Sequence, residues 1–511
     1  QECFQKFTRM VDHLEPNVLL CTVSSIRTKP LMFHLNGQRL QRKIRGMAKG
    51  KATGESGIPA EAIKMNPLSI AEVLDPLFRY VARNSVVPTS WKLTRIQPVP
   101  KKGDLTQISN YRPISLTEVL RKLFERILLP FIQTFIEPLT VEQGGFRQNR
   151  GCMDQVATLQ QWCSQKHSRS KIMAFLYIKA AYDSVDREIL WKRCLEKGFP
   201  SNLVDLLQSL FDQNRAIVAI NGTRSQPFSL NSGVLQGSIL SPALYSVFID
   251  KIVESLEAVE HTDASIFGRR FDCLLYADDM VVFGHSVNRV QQLLNQCEEF
   301  AIKNRFQFNV KKCEVVGDFQ DPPSLKIYGQ NLPVSETFTY LGCVFNSKGI
   351  DWKAHFGRLE KRATASLLEY CRLGCNFKSM RLQTLSRLYK SMIQSTMDYC
   401  TALARKKDLS VVKNFHQRAL SMIGNLGKHA CASTFSLFCK IDSVEARWER
   451  LNSHFFKATK KKSNQFAIYY ALNEQQTHPN KASCFYGFME NPLVLEWLRS
   501  ERETPHLPLK Q

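Results

Sequence analysis

Closely spaced cysteine pairs are the first thing this chain lacks. It holds 15 cysteines but no Cys-x-x-Cys, and its nearest two, Cys371 and Cys375, have no metal-ligating neighbours in sequence. That spacing argues against a zinc module and against a small disulfide scaffold. It suits a reducing compartment in which most thiols act as small apolar fillers. No apolar run reaches the length needed to cross a membrane as a helix. There is no initiator Met and no signal-like segment at Gln1, which reads as a piece of a longer or processed chain. Acidic residues are scarce: 46 Asp and Glu stand against 69 Lys and Arg, a net charge of +23 at pH 7. An excess of that size favours a polyanionic partner, nucleic acid before an anionic membrane, over a basic surface with no ligand.

Globular material is plentiful. Hydrophobic residues make up 44% of the 511 and aromatics 10%, and the length suggests roughly three domains. A basic segment runs from Arg39 to Lys51, followed by the turn Gly54-Glu55-Ser56-Gly57-Ile58-Pro59. Apolar spacing predicts helices over Leu68–Asn84, Leu116–Phe135, Cys152–Gln165, Arg187–Lys197, Ser201–Phe211, Pro242–Leu256 and Val287–Asn304. Extended or buried strands are expected over Trp91–Val99 and Ile172–Ile178. A hairpin around Asn221-Gly222 would join Ala216–Ile220 to Gln226–Leu230. Ser324–Leu332 and Phe338–Val344 read as short strands. From Asp351 onward the pattern is almost wholly helical, so a boundary is placed near 350. Lys460-Lys461-Lys462 reads as a solvated face or a phosphate contact.

The densest chemical signal is Tyr276-Ala277-Asp278-Asp279, set between Cys273-Leu274-Leu275 and Met280-Val281-Val282-Phe283. A strand, a tight turn with two adjacent carboxylates and a second strand succeed one another. Neighbouring Asp residues repel, and a hard divalent cation is the usual reason to tolerate them; an exposed Asp-rich turn is the alternative. Upstream, Ser232-Gly233-Val234-Leu235-Gln236-Gly237-Ser238 joins a strand to a helix. Its glycines permit close backbone approach, and Gln236 offers an amide to a base or sugar edge. Further upstream, Lys101 and Lys102, and Arg112 in Asn110-Tyr111-Arg112-Pro113-Ile114-Ser115, place cations on Pro-stiffened loops that suit a triphosphate.

The order of these segments closely resembles the reverse transcriptases of non-LTR (LINE-type) retrotransposons, strongly over residues 50 to 350. "ISNYRPISLTEVLRKLFERIL", "EQGGFRQNRGCMDQV", "SGVLQGSILSPALYSVFID", "LLYADDMVVFG", "FNVKKCEVV" and "FTYLGCVF" look like successive motifs of that family. "RLYKSMIQSTMDYC" and "VVKNFHQRALSMIGN" are similar to its downstream helical region. A group II intron maturase would show Gln-Gly-Gly where this chain has "QGSILSP", and a viral RNA polymerase would favour Gly-Asp-Asp at the hairpin.

The resemblance implies an α+β right-hand polymerase with fingers, palm and thumb and a helical C-terminal region. Residues 1–50 would form a basic extension, 51–350 fingers and palm, and 351–511 a helical thumb and C-terminal region. It implies an RNA-directed DNA polymerase with two Mg²⁺ or Mn²⁺ ions. The partners would be an RNA template, a DNA primer and deoxynucleoside triphosphates, with no membrane and an intracellular, nuclear setting. Asp278 and Asp279 would be metal ligands. Lys101, Lys102, Arg112, Tyr182, Gln236, Gly237 and Lys312 would meet the nucleotide, Tyr182 by screening the sugar 2′-hydroxyl. No Asp, Glu and His constellation of an endonuclease is present, so the chain reads as a fragment lacking that domain.

The chain departs from the family at one decisive place. The family's Asp-x-x-x-Ala-Phe-Asp puts its first Asp five residues before the aromatic, and counting back from Tyr182 gives Tyr177. A phenol, with a pKa of about 10, is neutral near neutral pH and cannot bridge two cations. Asp183 cannot easily replace it, since six extended residues span about 20 Å. Ser56 stands for a usual Asp, Leu235 for a common Arg and Arg305 for a common Gly. The expectation is a degenerate site, with little or no polymerisation. The alternative is a noncatalytic remnant that still binds nucleic acid.

Overall fold

The computed structural model describes residues 37–503, apart from 102, 166–169, 221, 260–263, 267, 320, 375–379, 428–430, 463–466, 478–482 and 484. Lys102, Asn221 and Cys375 therefore lie outside the described residues. The chain divides into two compact units. The first comprises residues 1–139, 178–252 and 300–307; the second comprises 140–177, 253–299 and 308–511.

In the first unit, helices Pro67–Asn84 and Val119–Ile136 bury Phe78 and Phe124 against Trp91. Asn66 starts the earlier helix by accepting the Ser69 N–H at 3.2 Å, with Pro67 as the first helical residue. Beside them lies a sheet in which strand Leu93–Pro100 pairs antiparallel with Tyr111–Leu116 and parallel with Arg215–Ile220. The parallel pairing needs a long crossover, which the helices between these strands supply. The expected second arm after Ile220 is reduced to two short pairings, Thr223–Arg224 and Phe228–Ser229.

The second unit is built on a four-stranded antiparallel sheet in the order Glu314–Gly317, Ile172–Tyr177, Asp279–Gly284, Cys273–Tyr276. The two central strands are almost continuously apolar, as a sheet covered on both faces requires. Met173, Phe175, Val281 and Phe283 are buried with Trp162 of helix Cys152–Ser164. After residue 350 the described chain is helical, from Trp352–Arg372 through Ser410–Gly424 and Val444–Lys460 to Pro492–Glu503. The first two and the start of the third pack around Trp448, Tyr370 and Tyr389, while Val494 of the last lies in the cluster with Trp162 and Phe283.

Two expected strands are hairpins instead. Tyr328 and Gly329 take φ +53 and +70 between Lys326–Ile327 and Gln330–Asn331. Leu341 and Gly342 take φ +44 and +80 between Phe338–Tyr340 and Cys343–Asn346. Two successive left-handed residues reverse the chain in the sense that matches strand twist, and the apolar flanks Tyr340 and Cys343 concealed the second turn.

Candidate active site

Within the second unit, the carboxylate hairpin closes on a two-residue loop. Tyr276 and Asp279 are paired, and Ala277 turns the chain at φ +58. That conformation is unfavourable for alanine by about 1 kcal/mol, and neighbouring chain holds it. The Gly144 N–H donates to Leu275 O at 2.8 Å, the Leu275 N–H donates to Glu142 O at 3.0 Å, and the Gln155 side-chain amide donates to both carbonyls at 2.7 and 2.9 Å. A Cβ on Gly145 would stand 2.3 Å from the Ala277 nitrogen. The "EQGG" segment is thus a buttress for the hairpin, and the apolar turn pattern alone could not reveal it.

Asp278 and Asp279 are both half-buried. Burial and then the neighbouring Asp278 charge push the Asp279 carboxyl up to about 6. Two adjacent carboxylates, with Asp279 raised in this way, are a donor set that one cation would relieve. Directly across the ladder from Asp279, however, stands Tyr177. Its backbone N–H points at the Cys313 sulfur, 3.4 Å away, and its carbonyl accepts from Asn309 N at 2.8 Å. The Lys312 ammonium lies 4.9 Å from the centre of the Tyr177 ring, a cation–π contact. Three of the residues singled out in sequence, with Lys312 as a fourth, therefore meet at one end of this sheet. The oxygen donors among them are two adjacent carboxylates and a neutral phenol. This set fits one divalent cation and does not fit a pair that needs a bridging carboxylate from the facing strand.

Within the first unit, a cavity of about 1080 Å³ is lined by both long strands, Asp183 and the 228–236 segment. Gln236 donates its amide to Asp183 at 3.2 Å. Asp183 is solvent-exposed but sits in the cavity wall, and this partial burial raises its carboxyl pKa against the opposing pull of Gln236 and Lys101. Lys101 is fixed through its ammonium to Ser109 O at 3.1 Å. Arg112 is exposed on its strand. Tyr182 stacks flat on Tyr245, with centroids 5.3 Å apart and planes 4° apart. Gly237, at φ +145, has no room for a Cβ, which would fall 2.2 Å from Ser115 O. The close approach expected of this glycine is met by the protein's own strand.

Behind that loop lies a fully buried network that the helical apolar pattern of 119–136 concealed. Arg121 pairs with Glu125 at 2.8 Å and also donates to Trp91 O and the Asn214 side chain, each at 2.9 Å. The other Glu125 oxygen accepts from Ser238 Oγ at 2.9 Å and Ile239 N at 2.8 Å. The i,i+4 spacing of Arg121 and Glu125 was the available signal.

Residues 99–345 match the reverse transcriptase (RNA-dependent DNA polymerase) family. The chain is 24% identical over 392 residues to the RNA-directed DNA polymerase from mobile element jockey of Drosophila melanogaster, covering 73% of this chain and 42% of that protein. It is 26% identical over 326 residues to the Pol polyprotein from type-1 retrotransposable element R2 of Popillia japonica, covering 61% and 45%. Residues 99–345 are thus similar to reverse transcriptases, and the relatives named above are polymerases of non-LTR retrotransposons. The chain spans less than half the length of these two curated relatives. A solved apo telomerase from Candida tropicalis aligns with a TM-score of 0.41 at 13% identity, over 81% of this chain and 70% of that one. No helix among the described residues is long and apolar enough to cross a membrane.

The other departures from the resembled family pattern have local explanations. Ser56 donates to a Glu118 carboxylate oxygen at 2.5 Å, and the Ser56 N–H donates to the other at 2.9 Å. An Asp there would face Glu118 with like charge. Arg305 takes φ +57, a conformation that glycine enters freely, and pairs with Asp186 at 2.8 Å and Glu188 at 3.4 Å. Leu235 is buried in the cavity wall.

Proposed function

We propose that this chain is the polymerase module of a non-LTR retrotransposon, built for RNA-templated DNA synthesis and curtailed by Tyr177. Reverse transcriptases use divalent metal ions. Here Asp278 and Asp279 would hold one cation, and the position that should complete a two-ion set carries a phenol. No catalytic step is derived through the second ion for that reason. The observation that carries the reading is the register of Tyr177 against Asp279, at the turn end of the hairpin.

The second unit's sheet with its hairpin acts as the palm, the first unit's sheet and helices as the fingers, and the helices after residue 351 as the thumb. In the first unit Lys101 and Arg112 offer cations to a triphosphate and Gln236 an amide beside a base, while in the second unit Lys312 offers a cation beside the hairpin. The stack on Tyr245 would hold the Tyr182 ring in one orientation, which suits a group that screens the sugar 2′-hydroxyl. Template and primer are polyanions that the +23 charge would attract, with affinity falling steeply as salt rises.

Primer extension on an RNA template with deoxynucleotides and Mg²⁺ or Mn²⁺ tests this reading. Binding of the template–primer with only trace extension is expected. Extension at rates typical of polymerases would contradict the disabling role of Tyr177. Failure to bind a primed RNA even at low salt would contradict the polymerase reading itself.

A further inference from the structure

Three side chains from distant parts of the second unit meet in its interior with no role in the chemistry above. They are Cys343 in the hairpin strand Cys343–Asn346, His355 in the first turn of helix Trp352–Arg372, and Cys400 just before the turn Thr401–Leu403. Two sulfurs and a ring nitrogen all lie within 4.8 Å of one another, and all three residues are fully buried. The His355 Nε2 faces the Tyr399 carbonyl at 3.2 Å, which fixes the proton on that nitrogen. Nδ1 is then left with a lone pair, and it has no hydrogen-bond partner among the described residues. A buried acceptor without a partner costs about 1–3 kcal/mol.

We propose that Cys343, His355 and Cys400 form a binding site for a thiophilic divalent ion, Zn²⁺ first. Thiolate and imidazole are the donors zinc prefers, and a backbone carbonyl on the far ring nitrogen is the usual support of a metal-bound histidine. Tetrahedral zinc with Zn–S of about 2.3 Å and Zn–N of about 2.0 Å separates its ligands by less than 4 Å, so the cluster needs to contract by about 1 Å. Charge supports this choice. Two thiolates, a neutral imidazole and Zn²⁺ sum to zero, so the ion enters an apolar interior without leaving net charge. Binding releases the two thiol protons. Burial and the neighbouring Cys400 hold the Cys343 thiol well above its usual range in the metal-free chain, and the Arg358 guanidinium, tied to Thr339 Oγ1 at 3.0 Å and Gly342 O at 2.6 Å, opposes this only in part. The fourth position is left to water.

Such an ion would pin the 338–346 hairpin to the first helix of the C-terminal region and to the 397–403 turn. It is separate from the carboxylate hairpin, and its test does not depend on polymerase activity. The full chain, expressed with zinc and purified by gel filtration, is assayed for metal by mass spectrometry and titrated with Co²⁺ after chelation. The site predicts about one zinc per chain and a thiolate-to-cobalt charge-transfer band. Cys343→Ser, Cys400→Ser and His355→Gln each lose the zinc, while Cys431→Ser, at an exposed thiol, keeps it. Absence of zinc and of the cobalt band in the unmodified chain overturns the proposal, whatever the variants do. So does a Cys343–Cys400 disulfide found by peptide mapping of chain purified without reductant in the presence of zinc.

Discussion

Tyr177 and Asp279 are direct partners in an antiparallel ladder, at the row where the hairpin turns. The same row continues to Tyr276 on the other side, so Asp279 is flanked by two aromatic side chains. A carboxylate in that setting has lost much of its water, and burial is the first cause of its raised carboxyl.

That loss makes Asp279 sensitive to pH. Because its carboxyl is raised from the usual range to about 6 in the fold, the folded state binds its proton more tightly than the unfolded one. Any stability it contributes is fully present below about pH 4 and is lost as pH rises through about 6. In the metal-free chain, Asp279→Asn should therefore add stability at pH 8, on the order of 1–2 kcal/mol for a half-buried group, and almost none at pH 4. Urea melts of both proteins at the two pH values measure it.

The buried pair behind the Gln236 loop should be far more sensitive. Arg121→Met strands Glu125 in an interior without its counter-charge and should cost about 3–5 kcal/mol. Adding Glu125→Met should recover only part of this, because Glu125 also holds Ser238 and Ile239. Denaturant midpoints of the two single variants and the double variant close the cycle.

Glycine positions divide sharply. Gly237→Ala and Gly145→Ala drive a Cβ to 2.2 Å from Ser115 O and 2.3 Å from Ala277 N, both backbone atoms. Each should destabilise by about 2–4 kcal/mol. Gly357→Ala meets nothing within 4 Å inside a helix. It should stabilise by up to about 1 kcal/mol. Thermal melts of the three variants beside the unmodified chain read both signs.

Arg305→Gly relieves a left-handed arginine worth about 1 kcal/mol. It also breaks exposed ion pairs worth about 0–1 kcal/mol. The net change should stay within about 1 kcal/mol. A larger loss, read by thermal melting, would mean that the contact with Asp186 carries more than its exposure suggests.

Much of the fold was legible in the chain. Helices with a clean apolar face, such as Ser201–Phe211, came out at their observed ends. The strand Ile172–Tyr177 and the carboxylate hairpin were readable because uninterrupted apolar runs suit a sheet covered on both faces. The turn at Leu341-Gly342 was hidden because apolar residues surround it, and the one at Tyr328-Gly329 because its two strands are only two residues each. The Arg121–Glu125 pair was hidden because two charges four apart on a helix ordinarily face solvent. The Gln155 and Gly145 support of the hairpin joins segments more than 100 residues apart, and no local pattern encodes such a contact. The same holds for Cys343, His355 and Cys400, whose spacing matches no zinc module.

On the proposed reading Tyr177 is the local lesion, and one substitution addresses it. Tyr177→Asp places a third carboxylate in the row beside Asp279, within reach of a cation held by the hairpin. Primer extension on an RNA template with Mg²⁺, compared between the chain as it stands and Tyr177→Asp at equal template–primer occupancy, reads the effect. A gain on the order of 10²-fold or more is expected, as for other groups that stabilise charge at a reacting centre. Equal, measurable extension by both proteins would contradict the disabling role of Tyr177.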